Sequence, residues 1–257
     1  MSKIRNDMFG LKAKLPISED DRRWVDDSFQ RLERVLSRER MTNAEVILPT
    51  PNYFPDPYEA DQASLDRMFR RVCGYMRLDP DIAEVNLFAD QAAELSKALP
   101  YWHGKHQDAA GIYMKSEGRP VVGVKESQLK NPLQLVATLA HELCHVMLLG
   151  PSLIAHDDPD MEPLTDLATV FVGMGVFTAN AARNFEQHQD ETRQGWAMSI
   201  HGYLPEQVIG YALAKFAHER NEKKPTWADH LRSNVKSDYR HSKNWIEQHM
   251  HTSSVGR

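Results

Sequence analysis

His141-Glu142-Leu143-Cys144-His145 sits inside an apolar run that begins at Asn131-Pro132 and ends at Gly150-Pro151, and its reading decides how the rest of the chain is understood. In a helix, residues four apart lie one above the other, so both imidazoles of this H-E-x-x-H pattern can face one divalent ion while Glu142 leans over a water bound to it. That grouping of residue types is the chemistry of a zinc hydrolase.

The flanks support a helix. The Asn131 side chain can cap free amides, and Pro132 tolerates the first turn, where its missing N–H is not needed. Gly150 suits a left-handed terminating residue and Pro151 cannot continue the ladder, so the helix is expected over about residues 132 to 149. Its side chains sort into an apolar face of Leu133, Val136, Ala137, Ala140, Leu143, Cys144 and Met147 and a polar stripe of Gln134, Thr138, His141 and His145.

Catalytic zinc takes three protein ligands and keeps a fourth position for water, so a third ligand must come from elsewhere. Glu162 is the strongest candidate. Pro163 marks a helix start, and Leu164, Leu167, Val170, Phe171, Met174 and Phe177 predict one apolar helix on which Glu162, Asp166, Thr169 and Gly173 form a narrow polar or small stripe. Buried carboxylates on such a stripe need a metal or an imidazole. Asp166, one turn beyond Glu162, is placed to accept the free ring N–H of a ligating His. His156, Asp157, Asp158 and Asp160, between the two helices, are alternative third ligands, although they also read as a solvated connector. A metzincin pattern fails because position 148 is Leu. His103 and His106, in a stretch without regular period, read as part of a solvated or substrate-facing loop.

His141-Glu142-x-x-His145 with Glu162-x-x-x-Asp166 resembles the gluzincin metallopeptidases of the thermolysin type, over about residues 118 to 178. The Asn that often precedes the ligand Glu in that family is replaced by Met161, and the spacing from His145 to Glu162 is compact. The resemblance implies that the strand before the motif helix, Val121 to Lys125, forms an edge on which substrate backbone pairs. It also implies that a Tyr or His beyond the third ligand steadies the oxyanion. His201 and Tyr203 are the candidates, with Tyr203 preferred as an aromatic that follows Gly just before a helix.

Composition agrees with a soluble globular chain: 257 residues, 41% hydrophobic and 26% charged. A formal net charge of −5 with both signs interspersed argues against nucleic-acid or anionic-membrane surfaces. Cys73 and Cys144 lie among apolar neighbours and read as reduced, buried thiols, with Cys144 on the face opposite the ligands. The first residues lack the apolar core of a secretory signal and no apolar run approaches membrane-spanning length, which makes the cytoplasm the expected location.

Around the motif, Ser18 and Asp21 predict the start of a first helix carrying Trp24, Val25, Phe29, Leu32 and Val35. Residues 45 to 48 read as a short strand before a Pro-rich turn, and Leu65, Phe69, Val72 and Met76 mark a second helix. Further strands are expected at 84 to 88, 111 to 114 and 121 to 124, the last two joined as a hairpin, and a helix is expected to begin near Leu204-Pro205. The order predicts an α+β, zincin-like fold, with a small mixed sheet packed on the motif helix and a mainly helical C-terminal half. Residues 1–115 would form an N-terminal α/β lobe and 116–257 a metal-binding, mainly helical lobe, or the two a single compact domain.

The expected function is therefore a zinc-dependent hydrolase with one Zn2+ per chain, acting on peptide or protein substrates, with Glu142 as general base. A zinc-stabilised interaction module without catalysis, or a hydrolase of a non-peptide amide, are the alternatives. Structural zinc ordinarily takes four ligands, often Cys, and neither Cys fits. Nothing in the sequence specifies the oligomeric state.

Overall fold

The Ser18 hydroxyl accepts the Asp21 N–H at 3.1 Å and donates to the Asp21 carboxylate at 2.6 Å, which starts helix α1 (Glu19–Leu36) and directs Val25, Phe29 and Leu32 inward. The structure, a computed structural model, describes residues 13–88, 111–116, 119–155, 157–186 and 204–250. A short α2 (Arg38–Thr42) follows, and α3 (Gln62–Tyr75) begins where the Asp61 carboxylate accepts the Ser64 N–H. Leu65, Phe69, Val72 and Cys73 form the buried side of α3.

Residues 45 to 48 are not a strand. Their apolar side chains still turn inward, with Ile47 fully buried, but the Ile47 N–H donates to the Gly173 carbonyl at 3.0 Å instead of joining a ladder. The sheet has three strands, β1 (Glu84–Phe88), β2 (Gly111–Ser116) and β3 (Arg119–Lys125), in the order β1-β3-β2. β1 runs parallel to β3, and β2 pairs antiparallel with it, Ser116 opposite Arg119. The strand expected at an edge, Val121 to Lys125, is thus the central one, with both sides of its backbone engaged. On the outer side of β1 the Gln62 amide donates to the Val85 carbonyl at 3.2 Å and accepts the Leu87 N–H at 3.3 Å, filling positions that an added strand would use. β2, paired with β3 alone among the described residues, is the remaining edge.

The motif helix is α4 (Pro132–Leu149), begun by the Asn131 side chain accepting the Gln134 N–H at 3.3 Å. It packs against α3, β2 and β3 and against the two helices that follow, so every residue from Leu135 to Leu149 is buried. The expected polar stripe is therefore enclosed rather than exposed. α4 is also long and apolar enough to cross a membrane by length and composition, contrary to the sequence expectation. Its apolar surface is covered by protein, with 83% of that window buried, as in a core helix. The helix does not end on a left-handed Gly150, whose backbone stays right-handed. Ser152, at φ 57°, takes that conformation, and the Leu153 N–H reaches the Leu148 carbonyl at 3.0 Å.

The apolar helix expected to continue from 163 to 177 is two helices, α5 (Met161–Phe171) and α6 (Gly175–Glu186). Gly173 causes the break. Its φ of +90° is open to Gly, and a Cβ there would meet the Glu45 carbonyl oxygen at 2.1 Å. Gly173→Ala is expected to lower stability by about 2–4 kcal/mol, combining left-handed strain with displacement of the 44–47 segment. Urea denaturation tests this, and a loss below about 1 kcal/mol would mean that the turn adapts freely.

The C-terminal half adds α7 (Glu206–Glu219), which buries Val208, Ile209, Tyr211, Ala212, Leu213 and Phe216 as its spacing predicts. α8 (Ser233–Met250) packs along it, with Trp227 and Leu231 buried in the connection and Trp245 partly buried on α8. The fold is α+β, a small mixed sheet against α4 followed by a mainly helical half.

Candidate metal centre

α4 and α5 meet where their polar residues face each other. The His141 and His145 rings lie edge to face, with Nε2 atoms 3.1 Å apart. Glu162, in the first turn of α5, brings Oε2 to 3.1 Å from His141 Nε2 and 3.3 Å from His145 Nε2. An ion bonded at ~2.1 Å in tetrahedral geometry has its donor atoms ~3.4 Å apart, so this triangle is close to one face of such a coordination shell. Among the described residues, these three are the group whose ligand atoms converge well enough that they could hold a metal ion.

The charge states within the cluster are strongly interdependent. Burial works against a charged His141, but its bonds to Asp166 and Glu162 outweigh this and hold its pKa well above the ordinary value. Burial likewise opposes ionised Glu162, and the two imidazoles hold its carboxyl well below the usual carboxylate range. A proton can bridge one pair of these three atoms at a time, whereas a divalent ion could satisfy all three at once.

Asp166 is where the spacing placed it. Its Oδ1 lies 2.8 Å from His141 Nδ1 and its Oδ2 accepts the Leu204 N–H at 2.8 Å, so both oxygens of this buried carboxylate are engaged. The aspartate orients His141 and ties the start of α7 to the centre. Behind it, the Thr169 hydroxyl donates to the Asp166 carbonyl at 2.6 Å and lies 2.6 Å from Thr178 Oγ1, which joins α5 to α6.

Glu142 is buried. Burial pushes its pKa up against the opposing pull of His141 and His145. With His141, Asp166, Thr138 and Thr178 it forms the polar wall of a cavity whose other wall is Ala137, Ala182, Leu204 and Ile209. The cavity is narrow, with room for about one water, and partly open to solvent. Access to the centre itself is on the Glu162 side, where that side chain is 39% exposed and the two histidines are nearly covered.

Among the described residues, Asp157, Asp158 and Asp160 do not join the converging group. Asp158 pairs with Arg31 and accepts the Asp160 N–H at 2.9 Å, and Asp157 is exposed. His156, His103 and His106, and the oxyanion candidates His201 and Tyr203, lie outside the described residues. Cys144 and Cys73 are free, buried thiols in the core, as expected; burial pushes the Cys73 thiol up to about 12.

Two neighbours were not identified from the sequence. Thr165 brings its Oγ1 to 3.3 Å from His145 Nδ1. Tyr113, on β2, lays its ring over His145 with centroids 6.2 Å apart, and its buried hydroxyl has no hydrogen-bond partner among the described residues. The sequence signal for Tyr113 is its place in the hairpin beside the motif helix; for Thr165 it is adjacency to Asp166 one turn after Glu162.

Comparison of the chain with protein-family models, with curated proteins and with solved structures finds no match.

Proposed function

We propose that the chain is a zinc-dependent hydrolase of zincin-like architecture, a metallopeptidase acting on peptide or protein substrates. The observation that carries this reading is the convergence of His141 Nε2, His145 Nε2 and Glu162 Oε2, with the Glu142 carboxylate buried beside them. A borderline set of two imidazoles and one carboxylate suits zinc, and three protein donors leave a position free. When bound, zinc supplies Lewis acidity to a carbonyl oxygen and makes a coordinated water acidic near neutral pH.

The chain's own groups do the remaining work. Glu142 takes the proton from the attacking water and returns it to the leaving nitrogen. Asp166 holds the His141 ring with Nε2 turned to Glu162 and His145, and Glu162 would contribute negative charge to a bound cation. For a peptide in extended form, the edge that receives the backbone is β2, which lies against α4, since β3 is interior and β1 is covered by Gln62.

The test is elemental analysis of the purified chain followed by a peptide-library assay. The expected result is about one zinc per chain and cleavage that a chelator abolishes and added zinc restores. Bound zinc with no turnover of peptides or small amides would favour the zinc-stabilised module, and a chain that takes up no metal would overturn the reading.

A further inference from the structure

Two hydrogen bonds decide which nitrogen of His145 carries its proton. Thr165, on α5, is fully buried and has one hydroxyl hydrogen to give. Its Oγ1 lies 2.7 Å from the Met161 carbonyl oxygen, which can only accept, and 3.3 Å from His145 Nδ1. The Met161 thioether, 3.8 Å away, is too weak an acceptor to compete with the carbonyl. The hydroxyl hydrogen is therefore committed to the carbonyl one turn back, a common bond for Thr within a helix. Towards His145 the same oxygen accepts, so Nδ1 is the nitrogen that bears hydrogen. That leaves the Nε2 lone pair directed at the point shared with His141 Nε2 and Glu162 Oε2, at 3.1 and 3.3 Å.

We propose that Thr165 is a positioning residue for His145: its hydroxyl, locked by the Met161 carbonyl, fixes the imidazole tautomer and ring orientation in which Nε2 can bind a divalent cation. The inference rests on the metal-binding part of the function proposed above. The two histidines are then held in different ways. His141 is backed by a carboxylate at 2.8 Å, which both orients the ring and enriches its charge, whereas His145 is backed by a neutral hydroxyl that orients it without adding charge. Tyr113 lies on the same imidazole, so the ring plane has a packed neighbour as well as a hydrogen-bonded edge.

The experiment uses the full chain and its Thr165→Val and Thr165→Ser variants. Zinc affinity is measured by chelator competition, and the protonated ring nitrogen of His145 by nitrogen-15 NMR at a pH where the ring is neutral. Val keeps the branched shape and loses the oxygen, so zinc affinity is expected to fall about 10- to 100-fold. Ser keeps the oxygen and is expected to bind within a few-fold of the parent, a rescue that a purely packing role would not give. Thr165→Val protein that binds zinc as tightly as the parent would overturn the assignment, as would a Ser variant no better than Val. Should the Val variant fail to fold, the parent spectrum decides: hydrogen on Nδ1 supports the assignment and hydrogen on Nε2 overturns it. A parent that binds no zinc would instead overturn the proposed function, and the tautomer in that same sample would still judge Thr165.

Discussion

Glu162→Ala protein is expected to bind zinc at least about 100-fold more weakly than the parent, and to emerge from purification with little of it. Four-ligand structural zinc sites bind with roughly 10–16 kcal/mol, so one ligand accounts for roughly 3 kcal/mol, or about two orders of magnitude. Glu162 is the corner of the triangle with the most exposed side chain, so its truncation removes little packing, and the metal-free fold is expected to survive. The accompanying change is in linkage. Zinc at 100 times its Kd stabilises the parent by about 2.7 kcal/mol, and the variant should lose most of that gain. Elemental analysis beside melting curves with and without added zinc reads both effects. Full zinc in the variant would move the third ligand to the connector between α4 and α5, against the commitment of Asp158 to Arg31.

The features of this centre that depend on neighbours along one helix are legible in the amino-acid sequence. Helical spacing places His141 and His145 on one face and Glu162 and Asp166 one turn apart, and Asn131 with Pro132 marks where α4 begins. Features that depend on what lies across from an element are not. β3 reads as well for an edge strand as for a central one, because strand order is set by pairing between distant segments. The 45 to 48 segment has strand-forming residues but no strand opposite, only the Gly173 carbonyl.

Gly173 illustrates how one residue can be read in two ways. As a small residue on a polar stripe it extends the α5 pattern. Its physical role is set by the approach of the Glu45 carbonyl, which no local periodicity encodes. Thr165 is concealed for a related reason. Along α5 the carboxylates stand out as groups able to bind or orient a ligand, and a hydroxyl has that use only once its hydrogen is known to be committed elsewhere, here to the Met161 carbonyl. Burial of the polar side of α4 is likewise invisible in the helix's own pattern, since it follows from helices and strands packed around it.

Glu142→Gln is expected to keep zinc and lose about 10²- to 10⁴-fold in kcat, the usual contribution of a general acid–base group. The amide has nearly the size of the carboxylate and fits the same buried space, but it cannot take a proton from water near neutral pH. Because that proton moves only in the reaction, kcat and kcat/KM should fall together while KM changes little. Stability gives an independent reading. Burial raises the pKa of this carboxyl, so its ionised form opposes folding unless a cation lies close by. In the metal-free chain, replacing it with a neutral amide should therefore leave the melting temperature unchanged or raise it, the pattern of a group retained for chemistry at some expense to the fold. A variant that loses zinc would make Glu142 part of the binding shell, and one that retains activity within tenfold of the parent would remove it from the proton path. Either result would require a different base, whereas full zinc, unimpaired stability and lost turnover in one protein leave proton transfer as the role of the buried carboxylate.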